Sequence, residues 1–197
     1  MSELNVFKIR DLAMKTKRRV FKITELSNLI KKPYNIAKVY SNRLIEKKLA
    51  NKIMKGVLSF SDNELITATQ IVEPSYISFD YSFYYYKLIQ QVPSQLELVT
   101  TKKTRKISDL KYRQISTKLF FGYNRELIDN SYVFIAEPEK AILDSIYYNQ
   151  VDFSYFNDLL GSCDIPKLKK YIKKYKQVNG FRIKKIMDFG DYLDRKR

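Results

Sequence analysis

KPYNIAKVYSNRLIEKKLANKIMKGVLSF, residues 32–60, is the stretch on which the fold turns. Pro33 can open a helix, because the first helical position makes no use of the N–H that proline lacks. Behind it Ile36, Tyr40 and Leu44 recur four apart, an apolar stripe extended by Ala37 and, at the exit, by Leu49. That spacing leaves Asn35, Lys38 and Asn42 facing outward, with Tyr34, Ser41 and Arg43 outward or at the border and Lys47 near the helix end. Such side chains suit a helix that reads a DNA groove: asparagine matches an adenine edge, arginine a guanine edge and lysine a phosphate.

Two short β-favouring runs follow, 49–54 and 57–61, joined by Lys55-Gly56. Glycine supplies the positive φ that a tight hairpin turn needs, and Lys52 and Lys55 stand where such a hairpin touches a DNA backbone. Upstream, Val6, Ile9 and Ala13 mark one helical face with Leu12 beside them, and KTKRRVFKI then turns into a short apolar segment, 20–23. Thr24 is expected to cap the next helix, Glu25 suits its positive end, and Leu26, Leu29 and Ile30 form its stripe. Lys32-Pro33 ends it, since the residue before a proline is pushed out of helical geometry. Three helices, the third basic and polar outward, followed by a basic hairpin, describe a winged helix-turn-helix that binds double-stranded DNA. Readers of single-stranded RNA use an exposed aromatic platform, which Tyr34 and an inward Tyr40 do not make.

Composition narrows the function further. The chain has 197 residues, 45% of them hydrophobic, enough for one large or two small cored domains. It carries no histidine and a single cysteine, Cys163. Histidine-based metal sites and bases, single-chain zinc clusters and internal disulfides are thereby excluded, and a reducing cytoplasm is expected. No apolar run reaches membrane-spanning length, and MSELNVFKIRD lacks the apolar centre of a secretory signal. The formal charge of +16 is unevenly spread. Residues 1–61 hold fifteen Lys/Arg against four Asp/Glu, or +11; residues 62–160 hold ten against thirteen, or −3; residues 161–197 hold twelve against four, or +8. A polyanion-binding head, a near-neutral body and a basic end are expected.

Beyond the head, Asp62 is expected to cap a connecting helix over 63–72, with a boundary at Glu73-Pro74; the domains are then 1–72 and 73–197, and the fold class is mixed α+β. In PSYISFDYSFYYYKLI, Ser78 is expected to cap a helix over 79–88 whose clustered tyrosines face a core, a nucleobase platform being the alternative reading. QVPSQLELVTTKKTRK gives a strand over 95–101, ending in Lys102, Lys103, Arg105 and Lys106. KYRQISTKLFFGY gives another strand region, and SYVFIAEPEKAILDSIYY a strand over 132–135 running into a helix, with Pro138 in its first turn and Glu137 and Glu139 at its positive end. Phe156, Leu159 and Leu160 share a helical face before a break at Gly161. Leu168, Tyr171, Ile172 and Tyr175 then form an apolar stripe ringed by Lys167, Lys169, Lys170, Lys173, Lys174 and Lys176, and FRIKKIMDFGDYLDRKR closes the chain with a mixed helix. Lys102, Lys103, Arg105, Lys106, Lys169, Lys170, Lys173 and Lys174 are thus candidates for a second polyanion surface.

The order of these segments resembles the AbiEi antitoxin family of bacterial and archaeal abortive-infection systems. The resemblance covers nearly the whole chain, and its most specific pieces are P-S-Y-I-S, V-T-T-K-K-T-R and I-A-E-P-E-K-A-I-L-D. It implies an N-terminal winged helix that binds inverted repeats upstream of its own operon and represses it. It further implies a C-terminal α/β domain that counteracts a co-expressed nucleotidyltransferase toxin, directly or functionally, in a type IV toxin–antitoxin system, which makes the same eight basic residues a candidate antitoxin surface. No catalysis, cofactor, metal or membrane partner is expected, and the chain is expected to be a monomer or weak dimer with two copies on DNA.

Two other readings compete. A metal-dependent nuclease needs paired carboxylates near a lysine, loosely met by Glu97, Asp109 and Lys111. Glu137 and Glu139 beside Lys140 offer a similar grouping, which the helix start around Pro138 already explains. The other is a winged-helix regulator whose C-terminal domain senses a ligand or protein without any toxin; no glycine-rich phosphate cradle supports a nucleotide effector.

Overall fold

The computed structural model describes residues 4–103, 107, 110–149 and 151–195. The chain divides into two units, Met1–Glu73 with Glu126–Val133, and Pro74–Arg125 with Phe134–Arg197. Mixed α+β character, with two separate sheets, follows from the element order. Among the described residues no helix is long and apolar enough to cross a membrane.

In the first unit, helix α1 (Val6–Lys15) starts where the Asn5 side chain accepts the Lys8 N–H at 3.0 Å, and it buries Val6, Ile9 and Ala13. Strand β1 (Val20–Lys22) runs directly into α2 (Ile23–Ile30). The expected cap, Thr24, lies inside that helix; Lys22 occupies the cap position and its N–H donates to the Glu25 carboxylate at 2.7 Å. Lys31, at φ +51°, closes α2, and the Lys32 N–H returns to the Ser27 carbonyl at 3.1 Å. Pro33 stands at the N-cap of α3 (Tyr34–Glu46), one residue before the first helical position expected for it, and the left-handed Lys48 turns the chain into β2 (Asn51–Met54) and β3 (Val57–Ser59) through Gly56 at φ +78°. The strands form an antiparallel sheet in the order β1-β3-β2. Ile9, Phe21, Leu26, Ala37, Leu44 and Leu58 make the core. Helix α4 (Glu64–Ile71) is capped by Asn63, not Asp62; Asp62 is instead engaged as an acceptor for the Asn51 amide at 2.5 Å.

The second unit begins with β4 (Ser75–Ile77) and α5 (Asp80–Tyr85), followed by β5 (Glu97–Thr100) and β6 (Lys111–Gln114). The helix expected over 79–88 is therefore shorter, and Ser78 does not cap it: its hydroxyl donates to the Asp144 carboxylate at 2.8 Å, and Phe79 at φ +59° stands at the helix start. Strands β7 (Tyr123–Ile128) and β8 (Ser131–Ala136) complete a five-stranded sheet in the order β6-β5-β4-β8-β7. β4 runs antiparallel to β5 and parallel to β8, and β5 runs parallel to β6. Most of β7 carries no strand signal in the sequence, because it is a polar edge strand whose outward residues hide its alternation. Helix α6 (Pro138–Tyr147) starts on Pro138 as expected. After α7 (Asn157–Leu160), helices α8 (Ile165–Tyr175) and α9 (Phe181–Arg195) pack on α6, and Leu168, Ile172, Tyr175, Ile186 and Phe189 join its core.

The turn between β7 and β8 has no counterpart in the sequence reading. Asp129 and Asn130 both have positive φ, +46° and +57°, giving a two-residue hairpin turn. This tip belongs to the first unit. Gln70 of α4 accepts the Arg19 and Val20 N–H groups at 2.7 and 3.1 Å and donates to the Ser131 hydroxyl at 2.8 Å and the Tyr132 carbonyl at 3.3 Å. The buried Arg19 guanidinium donates to the Thr16 carbonyl at 2.6 Å and to the Asp129 and Asn130 carbonyls, both at 3.3 Å. Each buried polar group there finds a partner on another stretch of chain, as a buried backbone requires.

Candidate nucleic-acid interface

Helix α3 rests on α2 through Ala37, Ser41 and Leu44 and turns the opposite face to solvent. The buried stripe is not the expected one. A helix of 3.6 residues per turn steps alternately by four and three, so the stripe runs 37–41–44 and not 36–40–44. Ser41 is consequently only 3% exposed, its hydroxyl donating to the Lys38 carbonyl at 2.8 Å, which corrects its expected place on the outward face. Ile36 points outward in its place. Tyr40 is half-buried, and its hydroxyl donates to the Leu4 carbonyl at 2.9 Å.

Tyr34, Asn35, Lys38, Asn42, Arg43 and Lys47 are all exposed. On the 100° wheel Asn35, Val39, Asn42 and Glu46 fall in one row. Val39, 46% exposed between the two asparagines, was missed because an outward valine reads as core; its methyls could meet a thymine methyl. Arg43 leans over the Tyr40 ring at 5.7 Å.

The hairpin approaches the same face. Asn42 and Ile45 of α3 line a hollow of about 70 Å³ together with Lys52, Met54 and Gly56 of the hairpin. Asn42 and Lys52, ten positions apart in sequence, are thus brought together. Lys52 and Lys55 are exposed. Among the described residues Lys38, Lys47, Lys52 and Lys55 make no ion pair, whereas Arg18 is engaged by Glu25 and Glu73 at 3.5 and 2.8 Å. Arg19 is withdrawn from the surface, and burial lowers its pKa from the ordinary value against the opposing charge of Asp129. Unpaired lysines flanking a polar row can neutralise phosphates while the row meets base edges.

The second candidate surface is not one continuous row. Lys102 and Lys103 are exposed just after β5, while Arg105 and Lys106, like Asp109, lie outside the described residues. On α8, Lys170 and Lys173 are exposed, Lys169 pairs with Asp194, and Lys174 lies 4.2 Å over the Phe121 ring. Two members of the nuclease grouping, Glu97 and Lys111, do meet, and each described carboxylate of that reading is engaged in ion pairs. Glu97 holds Arg113 at 2.7 Å and Lys111 at 3.2 Å, and Lys167 bridges Glu137 and Glu139 at 3.1 and 3.2 Å. Burial, with help from Glu139 and opposed by Lys167, pushes the Cys163 thiol up to about 12, which keeps it protonated and unreactive.

No protein-family model matches the chain, and no curated protein matches it significantly.

Proposed function

We propose that the first unit is a winged helix-turn-helix head that binds double-stranded DNA, and that the protein is a sequence-specific repressor of its own operon. In this reading α2 supports, α3 enters the major groove and the β2–β3 hairpin lies along the backbone as the wing. Asn35 and Asn42 read base edges with Val39 between them, and Lys38, Lys47, Lys52 and Lys55 meet phosphates. The observation that carries it is the exposed row Asn35, Val39 and Asn42 beside the unpaired Lys52 of the hairpin. Two copies would read an inverted repeat.

The antitoxin half of the proposal rests on the resemblance of PSYISFDYSFYYYKLI, QVPSQLELVTTKKTR and SYVFIAEPEKAILD to the AbiEi family. The second unit would then oppose a nucleotidyltransferase toxin in the cytoplasm, without catalysis of its own.

The test is competition binding of the full chain to duplex DNA from upstream of its gene, against unrelated duplex, at two salt concentrations. Preference for the upstream DNA, with affinity falling as salt rises, supports a repressor. Equal binding to both duplexes overturns it. A separate arm co-expresses the chain with a nucleotidyltransferase encoded beside it; unrelieved growth arrest removes the antitoxin half alone.

A further inference from the structure

Helices α8 and α9 leave a groove of about 630 Å³ between them, wholly within the second unit. Its floor is aliphatic: Ile172 from α8 faces Met187 and Gly190 from α9. At Gly190 an added Cβ would already touch the Ile172 methyl at 3.6 Å, so glycine keeps this floor low. The two banks differ in charge, the α8 side being basic throughout. Lys173 and Lys176 of the α8 side carry no ion pair among the described residues, whereas the α9 side is mixed: Lys184 stands with Asp191 and Asp194, and Asp194 pairs with Lys169 of α8. Gly180 lines the groove, and the residue after it, Phe181, is 87% exposed.

We propose that this groove docks an amphipathic helix of a partner protein, its apolar stripe on the aliphatic floor and acidic side chains along the edge that faces α8. Helix-in-groove recognition needs an apolar trough with charged margins, and Met187 supplies an adaptable surface at its base. Exposed Phe181 extends the apolar contact beyond the trough, as aromatic anchors do. Nucleic acid fits less well, because phosphates gain nothing from an aliphatic floor. A second copy is disfavoured by the repulsion between two chains of formal charge +16. The inference is independent of whether the first unit binds DNA.

Met187 gives a direct readout, being one of four methionines in the chain. The full chain, labelled with ¹³C on the methionine methyls and assigned with Met187→Leu, is titrated with a designed helix carrying leucine at i, i+4 and i+7, glutamate along one edge and lysine along the other. Controls are the same helix with lysine on both edges, an oligouridylate RNA and anionic phospholipid vesicles. The expected result is a saturable shift of the Met187 methyl with the glutamate-edged helix alone, with affinity reduced about tenfold by Lys173→Glu and weakened by Phe181→Ser. Both positions are exposed, so neither change should disturb the fold. Equal binding of the all-lysine helix, a Met187 shift with RNA or vesicles in place of the helix, or no shift with any probe overturns the proposal.

Discussion

Lys140 and Asp144, one turn apart on α6, form an ion pair in which neither side chain touches solvent. The Tyr76 and Ser78 hydroxyls donate to the second Asp144 oxygen at 3.0 and 2.8 Å, and Lys140 also donates to the Tyr175 hydroxyl at 2.9 Å. Residues of β4 and its exit, α6 and α8 thus converge on one buried charge pair. Removing one member strands the other in the core. Lys140→Met is therefore expected to cost about 3–5 kcal/mol, read from urea unfolding, while Lys140→Met with Asp144→Leu should cost less than the sum of the single changes. Additive losses would show that the two side chains are not coupled.

The same cluster predicts an alkaline limit. Burial first, then the charge of Asp144, lifts Tyr76 and Tyr175 well above the ordinary 10.0. The folded chain keeps protons that the unfolded chain releases, so the stabilisation present below pH 10 is lost as the pH rises beyond it. The slope is about 1.4 kcal/mol per pH unit for each such tyrosine. Lys140 acts oppositely: burial lowers its pKa from 10.5, so its effect is a loss of stability as the pH falls below that value. Urea midpoints measured between about pH 9 and 12 should fall steeply at the upper end, and Tyr175→Phe should make the fall shallower.

The tip of the β7–β8 hairpin is a structural part of the first unit. Gln70→Ala leaves the Arg19 and Val20 N–H groups without their acceptor, at about 1–3 kcal/mol for each buried group left unpaired. A fragment ending at residue 73 loses every partner that the tip supplies to Arg19 and Gln70, and its thermal unfolding is expected to be broad and non-cooperative. A sharp transition in that fragment would show the tip to be dispensable.

For the proposed DNA interface, Asn35→Ala and Asn42→Ala should each reduce discrimination between upstream and unrelated DNA by about 1–3 kcal/mol. Lys52→Ala and Lys55→Ala should instead weaken binding to both DNAs and lower the salt slope by about 0.9 for each phosphate no longer neutralised. Ser41→Ala, at a buried position, should leave discrimination intact.

Two glycines give opposite expectations. In α9, Gly190 has ordinary van der Waals distance to Ile172, so Gly190→Ala should raise stability by about 1 kcal/mol through helix propensity. Gly122, at φ +73°, has Tyr171 and Lys140 at 2.9 and 3.0 Å from an added Cβ, so Gly122→Ala should lower the melting temperature markedly. Thermal melts of the two variants decide both.

What the sequence alone determined lies in short-range patterns. Val6, Ile9 and Ala13 are buried on α1 as their spacing requires, Gly56 turns the hairpin with positive φ, and Pro138 opens α6. Local signals suffice there because propensity, turn geometry and amphipathic period act within one or two turns of chain. On α3 the period was legible but its phase was not: steps of four placed Ser41 outside and Ile36 inside, and packing against α2 reversed both. Ser78 reads locally as a helix cap, yet its partner is 66 residues away. The Asp129-Asn130 tip joins residues more than a hundred positions earlier, at Lys17 and Arg19. Only tertiary structure decided these features, because a buried polar group is stable wherever a partner awaits it, and the chain brings those partners from places that no local window contains.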